Sequence, residues 1–274
     1  MIHKYSRVFG AASILAEDEQ PPFEIVNTEG AARLVITCDH ASNRIPRSLG
    51  NLGLDEELLT RHIAWDIGCA ALTRKLAAML DAPAIIGGFS RLVIDLNRHL
   101  NDPTSIPEVS DNVRIPGNTD LPRAHAAQRV EEIFVPYHNA LAALLAEVRA
   151  ARGVPAIVSL HSFTPVWGNF QRPWHVGVLW NRDRRIAGPL IDILRRDGEL
   201  CVGDNQPYHA REPVGYGMDV HAEGNGFPHA LLEIRQDLVA DEDGVDRWAR
   251  ILHGALGEVL TDPGIYAAID WEAT

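Results

Sequence analysis

The stretch LVITCDHASNRIP, residues 34–46, runs from an apolar, β-branched segment straight into an aspartate and a histidine. Residues 34–37 have the composition of a buried strand, and Asn-Arg-Ile-Pro at 43–46 breaks it. The strand therefore delivers Asp39 and His40 at its carboxyl end. In a parallel α/β sheet, ligands bind in the crevice beyond the carboxyl ends of the strands. This stretch thus predicts both a fold class and the place of a functional site.

The rest of the chain alternates short apolar runs with amphipathic segments. The predicted strands are 33–38, 84–86, 92–96, 156–160, 176–180 and 230–234. The predicted helices are 54–66, 68–80, 121–150, 183–197 and 243–260, and Pro136 should kink or split the third. Such alternation predicts an α/β protein: a three-layer αβα sandwich with a mixed, largely parallel sheet. We expect a single domain over residues 1–274, with residues 1–25 as a surface lead-in.

Charge and cysteine content narrow the classes of function. The 274 residues carry a formal net charge of −12, which argues against a nucleic-acid partner. A small anionic substrate stays compatible, because a few arginines can reverse the local potential in a pocket. The three cysteines form no CxxC pair, and neither a signal peptide nor a membrane span is visible. These features predict a cytoplasmic protein that binds no membrane.

Polar side chains recur at the ends of further predicted strands. His161 lies in SLHSF, and the Asn97–Arg98 pair follows the run LVIDL. Glu233 interrupts the apolar run of HALLEIRQD, where a buried carboxylate needs a partner. Two imidazoles and carboxylates that converge on one crevice most simply describe a Zn²⁺ site with an open position for water.

The residues alone leave other interpretations open. A histidine after a strand is more often hydrogen-bonded in a core or loop, and Glu233 could be the structural partner of an arginine. His62 and Asp66 in RHIAWDIG would share a helix face, which spacing alone assigns to solvent. The segments 99–120 and 203–228 are long and rich in Gly, Pro, Asn and Asp, as expected for active-site covers or disordered inserts.

Taken in order, several motifs resemble the N-formylglutamate amidohydrolase family. They are CDHASNRIP, HIAWDIG, FSRLVIDLNR, PYHNAL, SLHSF and HALLEIRQD, and SRLVIDLNR is the most specific of them. The resemblance extends from about residue 30 to 260. It implies a phosphorylase/hydrolase-like sandwich, similar to that of the zinc carboxypeptidases and aspartoacylases.

The resemblance also implies roles for individual residues. His40 and His161 would be metal ligands, Glu233 the general base, and Asn97 and Arg98 a clamp for a substrate carboxylate. Arg91 and His138 would contribute to substrate binding, although the division of work between the two arginines stays open.

The third metal ligand departs from the wider pattern, because this chain has Asn43 where the carboxypeptidase-like motif has a glutamate. We predict Asp66 for this position, with Asn43, Asp39 and His62 as alternatives. Zinc is the expected metal, and cobalt, nickel or iron would also suit such ligands.

The implied activity is metal-dependent hydrolysis of the amide bond of N-formylglutamate or a related N-acyl amino acid, in amino-acid catabolism. One alternative is a deacylase or carboxypeptidase-like enzyme with another substrate. Another, from a different class, is a catalytically silent metal-dependent binding protein. The sequence indicates no oligomeric state.

Overall fold

The computed structural model describes residues 13–211 and 215–271, and a central β-sheet organises them. The strands are β1 (Phe23–Val26), β2 (Leu34–Cys38), β3 (Ala84–Gly87), β4 (Val109–Ser110), β5 (Val113–Arg114), β6 (Ala156–Phe163), β7 (Val166–Trp167), β8 (Phe170–Gln171), β9 (Val176–Leu179), β10 (Val202–Asp204) and β11 (His229–Arg235). The α-helices are α1 (Glu56–Leu59), α2 (Cys69–Met79), α3 (Arg123–Arg129), α4 (Val135–Arg152), α5 (Ala187–Arg195) and α6 (Glu242–Val259).

Seven of these strands form one mixed sheet, in the order β1-β3-β2-β6-β11-β9-β10. The four central strands β3, β2, β6 and β11 are parallel to one another. Strand β1 is antiparallel to β3 at one edge, and β9 is antiparallel to β11 towards the other. The largely parallel sheet predicted from the sequence is therefore confirmed. Strands β4–β5 and β7–β8 form two separate short hairpins.

Helices cover both faces of the sheet. Alternate side chains of β2 point to opposite faces, so Leu34 and Ile36 pack with α2, α5 and α6, whereas Val35 packs with α4. All three side chains are fully buried. Burial of such an aliphatic side chain contributes roughly 1.5–3 kcal/mol relative to exposure, which is why the strands read as continuous apolar runs. The three-layer αβα sandwich is confirmed.

The prediction of a strand at 92–96 was wrong. These residues are buried in the core under α4 but form turns instead of a sheet strand. Side chains satisfy two of their backbone oxygens: Asn118 donates to Leu92 O at 2.8 Å and Arg129 to Val93 O at 2.9 Å. Because burial rather than strand pairing makes this run apolar, hydrophobicity alone could not distinguish the two.

Two helix predictions need correction. The predicted helix 54–66 is limited to the single turn α1, and residues 61–66 form turns, so His62 and Asp66 share no helix face. The predicted helix 121–150 is divided into α3, a π-helical turn over Val130–Phe134, and α4. Pro136 lies in the first turn of α4, where its missing N–H costs least.

The ends and the long connections also differ in part from expectation. Residues 23–25 of the predicted lead-in belong to β1, so the sheet begins within that stretch. Both long segments, 99–120 and 203–228, contribute walls to the main cavity, while residues 212–214 lie outside the described residues. No helix among the described residues has the length and apolar character needed to cross a membrane.

Candidate active site

The polar residues predicted at the strand ends meet at one edge of the sheet. His40 follows β2, His161 lies in the last part of β6, and Glu233 occupies β11 in direct register with His161. Asp66 joins them from the loop before α2, where its N–H donates to His40 O at 2.8 Å. All four are more than nine-tenths buried and line a cavity of about 500 Å³.

His40, Asp66 and His161 form a group that could hold a metal ion. Their ligand atoms all lie within 4.8 Å of one another. Asp66 Oδ2 is 2.8 Å from His161 Nδ1 and 3.4 Å from His40 Nδ1. Ligand atoms around a tetrahedral zinc ion are roughly 3.3 Å apart, so these separations need only small adjustments.

Both imidazole rings direct Nδ1 towards Asp66. On the opposite side of each ring, Nε2 contacts another polar side chain. His40 Nε2 donates to Asp95 Oδ1 at 2.6 Å. His161 Nε2 lies 3.1 Å from Ser159 Oγ and 3.6 Å from Asp39 Oδ2. A carboxylate hydrogen-bonded to the far nitrogen of an imidazole, as Asp95 is to His40, fixes the ring and raises the basicity of the other nitrogen, and the Ser159 hydroxyl occupies the corresponding place beside His161.

Two further observations fit a cation at this point. His40 Nδ1 is buried and has no hydrogen-bond partner, which leaves a costly unsatisfied atom facing the group. Burial by itself would raise the pKa of Asp66, but His40 and His161 lower it, so the carboxylate is ionised. Burial would likewise lower the pKa of His161, but Asp39 and Asp66 raise it well above its usual value. A cluster this rich in carboxylates is suited to a bound divalent ion.

The other residues considered for the third ligand lie elsewhere. Asn43 Nδ2 donates to Leu59 O at 3.0 Å, and His62 Nε2 is 3.5 Å from Asp111. Asp39 stands behind His161 and also accepts a 2.5 Å hydrogen bond from the Tyr137 hydroxyl. Gly87 makes room for this turn, since a Cβ there would lie 2.3 Å from Asp39 O. Of the four candidates, Asp66 is the one that the structure groups with the two histidines.

Glu233 faces the same cavity but is bonded differently. Its Oε2 is buried without a hydrogen-bond partner. Burial, helped by the charge of Asp66 and opposed by His161, Arg91 and His40, raises the pKa of Glu233 to about 7. A carboxyl group with a pKa near neutrality can both accept and return a proton, as a general base must.

The two arginines have different surroundings. Arg91 donates to Asp95 Oδ2 at 2.8 Å and lies 3.5 Å from Asp66 Oδ1, so its guanidinium supports the carboxylates behind and within the histidine group. Arg98 instead donates to the neighbouring Asn97 O at 2.9 Å and lines the cavity. The alternative pairing of Arg98 with Asp95 is taken by Arg91, which leaves the Arg98 guanidinium the freer of the two.

Asn97 and His138 also have local partners. The Asn97 side chain lines the cavity and accepts from the Gly217 N–H at 3.2 Å. His138 does not line the cavity: its Nε2 donates to Leu96 O at 2.9 Å, and its Nδ1 lies 3.0 Å from His221 Nε2. The position of His138 therefore gives no support to direct substrate contact.

Sequence reasoning missed the roles of Asp95 and Tyr137. Asp95 stands alone in the apolar run LVIDL, and a buried carboxylate of this kind requires a partner, so a signal was present. Its partner, His40, is 55 residues away, and only the turn at 92–96 brings the two together. Tyr137 carries no such signal, because a tyrosine on the apolar face of a helix is predicted to be an ordinary core residue.

Comparisons with known proteins agree with this geometry. The family model of N-formylglutamate amidohydrolase matches residues 32–240. None of the curated proteins that were compared matches the chain.

Solved structures show the same arrangement of the chain. A gene product from Agrobacterium tumefaciens is 33% identical and superposes with a TM-score of 0.88, over 90% of this chain and 98% of that one. An N-formylglutamate amidohydrolase from Ralstonia eutropha is 20% identical, with a TM-score of 0.61 over 88% of this chain and 98% of that one. At 20% identity the second likeness concerns the fold alone.

Proposed function

The chain belongs to the N-formylglutamate amidohydrolase family, and from this membership we propose that it is a metal-dependent hydrolase of N-formylglutamate or a related N-acyl amino acid. The observation that carries the proposal is the buried group of His40, Asp66 and His161, with Glu233 beside it in strand register. The reaction adds water across the amide bond and releases the carboxylic acid and the free amino acid.

His40 and His161, through their Nδ1 atoms, and Asp66 would hold the metal, for which we propose zinc. Two imidazoles and one carboxylate are a common zinc ligand set in hydrolases, and cobalt, nickel or iron could occupy the same group. The chemistry supplied by a bound metal is Lewis acidity, which polarises an amide oxygen and makes water more acidic. Asp95 and Ser159 keep the two rings oriented for this task.

Glu233 would act as the general base. It takes a proton from the attacking water and passes it to the nitrogen of the leaving amine. Its unpartnered Oε2 and a pKa of about 7 suit both halves of this cycle.

Arg98 would hold the carboxylate of the amino acid. A planar guanidinium can bind a carboxylate through two parallel hydrogen bonds, and Arg98 lines the cavity and forms no salt bridge with an acidic side chain among the described residues. Arg91 would remain with Asp66 and Asp95 and stabilise the ligand group.

Two alternatives from the sequence stay open. A deacylase or carboxypeptidase-like enzyme with another substrate would use the same residues. A catalytically silent metal-binding protein would need no unpartnered base, so the state of Glu233 favours turnover. We further propose a small substrate that carries an anionic α-carboxylate and has a role in amino-acid catabolism, and a cytoplasmic location on the basis of cysteine usage.

The test is hydrolysis of N-formyl amino acids by the metal-loaded protein, before and after removal of the metal by a chelator. We expect activity that is lost on chelation and restored by Zn²⁺. Glu233→Gln should keep its metal by elemental analysis and lose turnover by about 10²–10⁴-fold. Loss of metal in this variant would make Glu233 a ligand, and unchanged turnover would refute its role as base.

A further inference from the structure

The cavity continues along β11 well beyond Glu233. His229, Leu231 and Glu233 alternate onto the same face of the strand, and all three line the cavity. At about 3.3 Å per residue, the Cα atoms of His229 and Glu233 are separated by roughly 13 Å. Leu231 lies between them and pairs across the sheet with Leu179, another lining residue. An apolar passage therefore leads from Glu233 to a distant end of the cavity.

That distant end is polar and presents hydrogen-bond acceptors. Asn181, Glu223 and His229 line it, and we call this group the distal subsite. Glu223 Oε1 accepts from the Arg182 N–H at 3.1 Å, and Glu223 Oε2 accepts from Asn181 Nδ2 at 2.9 Å. These donors stabilise the ionised form of the carboxyl group.

His229 adds a second acceptor next to Glu223. Its Nδ1 donates to Phe227 O at 2.9 Å, since a carbonyl oxygen only accepts, and lies 3.8 Å from Asp183 Oδ2. Nε2 lies 3.6 Å from Glu223 Oε1, farther than a hydrogen bond, and in the tautomer with its proton on Nδ1 it is an acceptor. Two acceptors side by side suit a ligand group that carries several N–H donors.

The charges along the cavity agree with a positively charged ligand group. Among the described lining residues, the carboxylates are Asp66, Asp95, Asp111, Asp219, Glu223 and Glu233, and the arginines are Arg91 and Arg98. Arg91 already serves Asp66 and Asp95. Arg211 approaches the distal subsite, but it is exposed and donates to both oxygens of Asn181. A second substrate carboxylate would be repelled here, whereas a cation would be attracted.

We propose that the distal subsite binds a cationic side-chain end, so that the preferred substrates are N-formyl derivatives of lysine-like or arginine-like amino acids rather than of glutamate. The inference rests on the proposed function for the reacting end of the substrate. A formyl group has a single carbon, so the arm that follows the passage is the side chain of the amino acid. In an extended lysine or arginine side chain the ammonium or guanidinium group lies roughly 6–7 Å from Cα, so it extends along the passage towards the subsite. The glutamate side chain is shorter and carries the wrong charge.

The experiment compares three N-formyl amino acids on the metal-loaded protein: the Nα-formyl derivative of L-lysine and the N-formyl derivatives of L-norleucine and L-glutamate. Norleucine has the same number of side-chain carbons as lysine and lacks the ammonium group. We expect kcat/KM for the lysine derivative to exceed that for the norleucine derivative by roughly tenfold or more, since a desolvated ion pair contributes at least that much. The glutamate derivative should be the poorest of the three.

Two variants locate the preference. Glu223→Gln removes the charge and keeps the shape, so it should lower kcat/KM for the lysine derivative roughly tenfold more than for the norleucine derivative. Glu147→Gln, the same change at an exposed position on α4, should leave the three rates as in the wild type. Leu231→Phe narrows the passage and should reduce turnover of the lysine derivative far more than that of N-formylalanine. It tests the proposal even if Glu223→Gln fails to fold.

Each outcome has one meaning. The subsite is refuted if the glutamate derivative is the best substrate, or if Glu223→Gln lowers all rates equally, and the hydrolase function survives either result. If no N-formyl amino acid is hydrolysed, the proposed function fails. Calorimetric binding of free L-lysine and L-norleucine then tests the subsite alone. Stronger lysine binding that disappears in Glu223→Gln supports the subsite, and equal binding of the two amino acids overturns it.

Discussion

His40 and His161 each use their two ring nitrogens for different purposes. In both rings Nδ1 faces Asp66, while Nε2 is fixed by a polar group behind the ring. A histidine that serves only the core would need no such division, because one hydrogen bond and burial would suffice. When a metal is bound, Nδ1 of both rings must carry no proton, because its lone pair is then shared with the metal.

Replacement of either histidine should therefore remove the metal and spare the fold. His40→Ala and His161→Ala should each lose most of the bound metal in elemental analysis, while circular dichroism keeps the spectrum of a folded α/β protein. His253→Ala, an exposed histidine on α6, is the matched control and should retain the metal. A metal content equal to wild type in both site variants would refute the site.

At Arg98, the contribution of the planar guanidinium donors can be tested separately from that of the positive charge. Arg98→Lys keeps the positive charge and loses the planar pair of donors, so binding of a carboxylate should weaken. We expect kcat/KM to fall by roughly tenfold or more for an N-formyl amino acid, and much less for the matching amide that lacks the free carboxylate. Equal fractional losses on both substrates would assign Arg98 to the fold or to the stabilisation of the reacting oxygen.

At the scale of elements, the turn at 92–96 is held by side chains from α3 and from the loop before it. Arg129 is fully buried, and this burial lowers the pKa of its guanidinium to about 10. It donates to Val93 O, Gly117 O and Asn118 Oδ1. These bonds fix the path of the segment that carries Asp95 and Asn97.

Arg129→Met should show what this support contributes. Methionine fills much of the space but leaves three acceptors unsatisfied, so we expect the free energy of unfolding to fall by about 2 kcal/mol or more. Urea denaturation measures the loss. Arg123→Met, the same change at an exposed position of α3, should alter stability by less than about 0.5 kcal/mol. Equal stability of Arg129→Met and wild type would mean that water replaces the lost donors.

The turn at 92–96 shows which part of the structure could be predicted from the sequence and which part could not. Strands β2, β6 and β11 are recognisable as apolar runs, and their parallel arrangement follows from the intervening helices, so the meeting of His40, His161 and Glu233 could be predicted. The segment at 92–96 is equally apolar, but its hydrogen bonds go to side chains of residues 118 and 129. Long-range partners of this kind leave no local periodicity. For that reason Asp95 was placed on a strand and its bond to His40 was missed.

At the scale of the whole molecule, a buried pair of histidines couples stability to pH. His138 and His221 stack with their ring planes 15° apart, surrounded by Phe134, Tyr137 and Tyr216. Burial is the main cause that lowers the pKa of His138 to about 3 and that of His221 to about 4, with Asp39 acting in the opposite direction. The unfolded chain, with histidine pKa values near 6.5, therefore binds protons that the folded chain refuses between about pH 6.5 and pH 4.

Stability should consequently fall as the pH drops through this window. At pH 5 the pair opposes folding by about 2 kcal/mol per histidine relative to pH 7 or above. His221→Gln removes one of the two groups, so its free energy of unfolding should decrease less between pH 7 and pH 5 than that of the wild type. Urea denaturation at both pH values measures the difference, and His125→Gln, at an exposed position, should behave as the wild type. Identical pH dependence in His221→Gln would contradict the low pKa of His221.

The two long segments, 99–120 and 203–228, were distinguishable in the sequence only by their composition, and their paths over the cavity were not predictable. Their lining residues come from irregular turns, the β4–β5 hairpin and the helical turns over Gly217–Ala222 and Glu223–Asn225 instead of the sheet. His40, His161 and Glu233, by contrast, lie on or directly after the central strands. For laboratory evolution this separation is useful: libraries confined to the two segments could retarget the proposed hydrolase to new molecules, while the scaffold that carries the strand-end residues is inherited unchanged from one generation to the next.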